Sequence, residues 1–198
     1  MAYPKVADVK DYIGGISGTG DDALLEVLLG QAVKYFEEET QREFDDPGAD
    51  TTRYFTVGED TDGPLLIFDR DICSITTVTN GDSDSTVIAS DEYTTLPRND
   101  TPYYAIKLLN SSDSFWEYED DPDGAVSVAG TWTYSATPPA DVAYAVTALA
   151  AALYRGRDPS VDREAIVTLA SGVVISPTII PTMVRKIIDR YKWRPQGV

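Results

Sequence analysis

VSVAGTWTYSATPPADVAYAVTALAAALYRGRDP, residues 126–159, begins as a strand and ends as a helix. Pro138-Pro139 marks the turn between the two. From Val142 to Tyr154 no residue is charged. Asp141 stands near the start of that run, and Arg155 and Arg157 stand near its end. That placement suits a helix macrodipole. Val142, Val146, Leu149 and Leu153 recur at helical spacing, and alanines at 143, 145, 148, 150, 151 and 152 keep the rest of the surface small. A helix without charge on any side is expected to be covered on more than one face. Two arrangements meet that requirement. The helix is the core of its own chain, or it packs between subunits of an oligomer.

Outward from this stretch, the flanks read differently. Towards the N-terminus, Val6, Val9 and Ile13 mark a short amphipathic helix, which GGISGTG at 14–20 interrupts. Such a glycine-rich loop would need Gly-Lys-Ser/Thr at its end to hold phosphate, and here Asp21 and Asp22 follow. It is a connection, and Asp21 or Asp22 caps a second helix reaching about residue 43. Leu24, Leu25, Leu28, Ala32, Tyr35 and Phe36 form its apolar stripe. Strand-like runs then occupy 53–57, 64–68, 74–79, 86–89, 92–96, 104–109 and 126–135, separated by acidic turns such as GEDTDGP, GDSDS and YEDDPDG. Beyond the central helix the chain is less regular until Pro181. A last helix, about Thr182 to Trp193, has Val184, Ile187, Ile188 and Tyr191 on its apolar side. The expected fold is α+β: a small helical bundle with an inserted antiparallel β domain. Residues 1–46 and 137–198 form the bundle, and 47–136 form the insert.

The chain has 198 residues and a formal net charge of −17. Residues 1–136 hold 28 Asp/Glu against 8 Lys/Arg, a balance of −20, and residues 137–198 hold 5 against 8, a balance of +3. Such a chain does not wrap nucleic acid by neutralising phosphates. Its acidity suits ordinary solubility, a halophilic host, or a wall past which DNA slides without sticking. No apolar stretch is long enough to span a membrane, and the first residues carry no continuous apolar run of the secretory kind.

The chain has no histidine, which removes the commonest general base, the Ser-His and Cys-His nucleophile pairs and the commonest zinc ligand. A single cysteine, Cys73, makes neither an internal disulfide nor a cysteine-rich metal site. Glu119 to Gly124 begins loosely like a calcium loop. However, it lacks the first aspartate and has Gly130 where the bidentate glutamate belongs. A solvated turn is the simpler reading. Carboxylate pairs for glycoside hydrolysis are available in number but not in any recognisable constellation. Glu117, between Trp116 and Tyr118, is the one acid in an aromatic setting. No catalytic residue, cofactor or metal is expected.

The order of pieces resembles the head-tail connector (adaptor) proteins of tailed viruses. The first shared motif is Asp22, Leu25, Ala32, Glu37, Thr40, Arg42 and Phe44. The second is Val128, Gly130, Trp132 and Tyr134, then Pro138-Pro139, then the Ala-rich helix ending in Tyr154-Arg155. The third is Pro181, Arg185, Tyr191 and Arg194. The sheet resembles the β insertion of longer members. Thr133 stands where that pattern often has glycine, and the chain is more acidic than the pattern leads one to expect. The resemblance implies a non-enzymatic virion protein of the neck, present in the host cytoplasm during assembly. It implies a homo-oligomeric ring, typically of about twelve copies, beneath the portal protein. The ring would extend the DNA channel and dock the next neck or tail-completion protein. On that reading Val142, Ala145, Val146, Leu149 and Leu153 are candidate subunit contacts. Arg185, Lys186, Arg190, Lys192, Trp193 and Arg194 are candidates for gripping the portal. The alternatives are another neck component, such as a stopper, or a β-domain module binding protein or glycan through Trp116 and Tyr118.

Overall fold

A computed structural model describes residues 3–83, 85–156, 167–168, 174–175 and 180–193. Among the described residues there are four helices and two four-stranded antiparallel sheets, so the α+β expectation holds. The chain divides into two compact units, Met1–Arg42 with Thr137–Pro195, and one built on Glu43–Ala136.

The first unit holds the helices α1 (Val6–Ile13), α2 (Asp22–Thr40), α3 (Ala140–Arg155) and α4 (Thr182–Tyr191). α3 packs against each of the other three. This is why it needs no charged face: Val142, Ala145, Val146, Leu149, Ala150 and Ala151 retain no accessible surface. Thr147 is the buried polar exception, and its hydroxyl donates back to Ala143 O at 2.9 Å. Asp21 occupies the N-cap position of α2 but makes no side-chain cap; its carboxylate accepts the Tyr154 hydroxyl of α3 at 2.6 Å. Asp22 pairs with Lys10 of α1. At the other end α2 stops one turn earlier than its pattern suggested. Gln41 adopts the left-handed conformation (φ 55°), and the Arg42 amide bonds Glu37 O. Trp193 N–H donates to Thr40 O at 2.8 Å, so the chain leaving α4 is tied to the end of α2.

The second unit is two sheets. The strands β1 (Thr51–Phe55), β8 (Val126–Thr131), β4 (Ser74–Asn80) and β5 (Thr86–Ile88) lie in that order in one. The other holds β2 (Thr61–Asp62), β3 (Leu65–Ile72), β7 (Tyr103–Leu108) and β6 (Tyr93–Leu96). Inner-face residues of both sheets, including Phe55, Val78, Val126 and Val128 from the first and Leu66, Phe68, Ile106 and Leu108 from the second, share one core. Trp132 sits 5.3 Å from the Phe68 ring and 5.9 Å from Phe55, with its indole N–H on Thr51 O. The unit starts at Glu43, four residues before the sequence pattern put it. Glu43 O accepts both the Tyr134 amide and the Thr133 hydroxyl at 2.8 Å. Thr133, at the position where glycine is common, thus ties the insert's last residues to its first.

β2 was not expected. It is two polar residues of the GEDTDGP turn, folded back on Leu65 and Leu66 across Gly63 (φ 56°). β9 (Val167–Thr168) and β10 (Val174–Ile175) pair within the segment that carried no regular pattern.

Candidate functional site

The five candidate subunit contacts on α3 divide. Val142, Ala145, Val146 and Leu149 are wholly buried, and the surfaces covering them belong to the same chain. For these four residues the chain itself supplies the cover that the sequence required. Leu153 is half-buried. Among the described residues of this unit, the exposed large apolar side chains are Leu24 and Val27 on α2, Met183 on α4, and Tyr12 of α1 with Tyr144 of α3, whose rings meet edge-on at 5.9 Å.

On α4, Val184, Ile187 and Ile188 are buried while Arg185, Lys186 and Arg190, with Lys192 just past its end, are exposed. This amphipathic split is what the sequence pattern predicted. Arg190 is partly engaged, since its guanidinium donates to Asp141 at 2.9 Å, and the neighbouring Tyr191 hydroxyl donates to the other Asp141 oxygen at 2.8 Å. Asp141 thereby fastens the start of α3 to the end of α4. Trp193 is half-buried. Arg194 lies outside the described residues.

The two units divide the charge differently from the two ends of the sequence. Residues 43–136 hold 20 Asp/Glu against 4 Lys/Arg, a balance of −16, and all other residues hold 13 against 12, a balance of −1. Nearly the whole net charge belongs to the β unit. Within it most of the acids sit in the turns, the strand acids being Asp62 of β2 and Asp69 and Asp71 of β3. The strands of the first sheet carry a single charge, Arg53, whose guanidinium lies 5.2 Å from the Trp132 ring and pairs with Asp69 at 2.6 Å.

The turn that loosely suggested a calcium loop has the opposite polarity. The amides of Glu119, Asp120 and Asp121 all donate to the Asp82 carboxylate, at 2.7, 2.9 and 2.7 Å. What converges there is N–H, which attracts an anion, and the protein supplies its own. Among the described residues no group of three or more His, Cys, Asp or Glu is placed to hold a metal ion. These three bonds favour the ionised form and hold the Asp82 carboxyl at about 2, below its ordinary 3.8. Because the folded value is the lower one, the tie is complete above pH 3.8 and is lost as pH falls through about 2. An NMR titration of Asp82 should show a midpoint near 2. Asp82→Asn should speed hydrogen exchange at residues 119–121 at neutral pH, and the difference should vanish in strong acid.

The aromatic run 115–118 is split by burial. Trp116 is 9% exposed and belongs to the sandwich core, so it is not the ligand platform that a binding module would need. Phe115 and Tyr118 are exposed. Asn80, itself buried, holds the run in place by donating to Phe115 O at 2.6 Å and accepting the Glu117 amide at 3.3 Å. Burial raises the Cys73 thiol above its ordinary value, so thiolate chemistry is suppressed there.

No protein-family model and no curated protein matches this sequence. Solved structures do match. One is a chain from the neck of an empty gene transfer agent (GTA) particle, computed with C6 symmetry; it aligns with a TM-score of 0.58 at 20% identity over 98% of this chain and 91% of its own. Another is a chain from the virion of the native GTA particle, with a TM-score of 0.57 at 21% identity over 100% of this chain and 96% of its own. The likeness establishes a shared fold over almost the full length of both partners.

Proposed function

We propose that this protein is a structural component of the neck of a tailed phage-like particle: an adaptor that forms a ring beneath the portal, extends the DNA channel and docks the next neck or tail-completion protein. The observation that carries the reading is fold likeness across nearly the whole chain, sheets included, to proteins of a GTA neck and virion. The three sequence motifs shared with head-tail adaptors support it independently. Sixfold averaging is compatible with a ring of about twelve copies, since that ring contains the sixfold axis.

The surfaces suit this role. The exposed basic residues of α4 and its end, Arg185, Lys186, Arg190 and Lys192, gather cations on one face of a unit whose overall balance is −1, and a portal surface of opposite charge would fix its register. The acid of the β unit repels duplex DNA instead of binding it, as a passage requires. Adaptation of a whole chain to strong salt would acidify both units. The partition of −16 and −1 favours a local electrostatic role. Cryo-EM of the chain mixed with its portal, or of the particle, tests the proposal. The expected image is a closed ring directly under the portal with α4 at the contact. A ring further down would make the protein a stopper or tail-completion component, and its absence from the neck would overturn the reading. Lys186→Glu together with Lys192→Glu should weaken portal association at least about tenfold, as like-charge contacts do.

A further inference from the structure

We propose that the outer face of the first sheet is a contact surface for a second copy of this chain. It deepens the ring reading, on which it rests for the presence of neighbouring copies. The register puts Tyr54, Ser127, Thr79 and Val87 in one row across β1, β8, β4 and β5. Thr52, Ala129 and Thr77 form the next row. All seven point away from the core, because their neighbours Phe55, Val126, Val128, Val78 and Ile88 are the buried ones. Tyr54 at one end is 70% exposed and Val87 at the other is 61% exposed. None of the seven is charged, within a unit whose balance is −16. The sheet's one cation, Arg53, shares a row with buried Val128 and is turned towards Trp132. Asp50, just before β1, has its two oxygens taken by the hydroxyls of Thr76 and Thr131.

An open sheet face in an acidic protein ordinarily carries charge, which keeps it solvated and unpaired. Leaving it bare selects the partner by electrostatics. A basic partner would be drawn to the acidic turns, where its charge is neutralised, and would gain little on this face. A partner as acidic as this chain can approach only where neither surface carries charge. Another copy is such a partner.

The sign of the salt dependence separates these partners. Contact between two acidic copies strengthens as salt screens the turns around it, whereas contact with a basic partner weakens. Sedimentation equilibrium of the full chain should therefore show self-association that tightens by about tenfold or more between roughly 0.05 and 0.5 M salt. Thr79→Glu, in the middle of the row, should abolish it while circular dichroism and Tm stay as in the parent. Val87→Glu, at the exposed edge, provides a second variant that does not touch the sheet's interior. Association that weakens with salt, survives both substitutions or is absent at every salt overturns the proposal. Imaging of the portal complex separates this result from the ring reading. A ring whose copies leave this face open defeats the contact alone. Self-association through the face, with no ring in the neck, defeats the ring alone.

Discussion

Gly130→Ala should unfold the β unit or leave it without its first sheet. A Cβ built on Gly130 falls 2.1 Å from Ser74 O, 2.9 Å from Ile72 Cδ1 and 3.1 Å from Ile75 Cα. Two of those three atoms are backbone, so no rotamer change relieves the overlap. β4 approaches so closely because it bulges between Ile75 and Thr77 where it crosses Gly130 of β8, the strand that also pairs Gly130 with Thr51 of β1. Making room means separating the two central strands of the sheet. Overpacking in a core ordinarily costs about 1–3 kcal/mol, and a clash with fixed backbone belongs at or above the top of that range. Circular dichroism and thermal unfolding of the purified variant measure the loss. A Tm within a few degrees of the parent would mean that the strands can part there.

Leu149→Ala should be nearly as damaging, and its readout also distinguishes a core position from an interface position. Leu149 has no accessible surface in the chain by itself. Truncating it leaves a cavity in the core of the helical unit and should cost about 2–5 kcal/mol. The loss should appear in the isolated monomer as a lower denaturant midpoint, independent of protein concentration. A residue lying between subunits would instead leave the monomer's midpoint unchanged and weaken only the assembly.

That contrast shows where the sequence stops being informative. Helical spacing and absence of charge identified α3 as a covered helix, but they are the same whether its own chain or a neighbour provides the cover. The four helices and the longer strands were legible because each repeats a hydrophobic period over several residues. β2 was not, since two polar residues in an acidic turn carry no period. Asp82 read as one more solvated acid, because the three amides it holds lie 37–39 residues further on. Separation along the chain likewise hid Gly130, whose role exists only once β4 is folded across it. The charge partition was hidden for a related reason. Splitting the sequence at residue 136 gives −20 and +3, and only the return of the chain to the helical unit, joining its two ends, reveals −16 and −1. The α4 pattern survived the passage to three dimensions because its basic and apolar faces are both local.

The clamp at Glu43 has a consequence for how such chains diversify. Its carbonyl accepts the amide of Tyr134 and the hydroxyl of Thr133, so the points where the β unit begins and ends are held side by side. An insert whose two ends meet can be exchanged, shortened or removed by a single recombination event, and the gap left in the remaining backbone needs only a tight turn to close. The helical unit could thus be inherited unchanged while lineages exchange what it carries, with the appendage free to follow a changing neighbour.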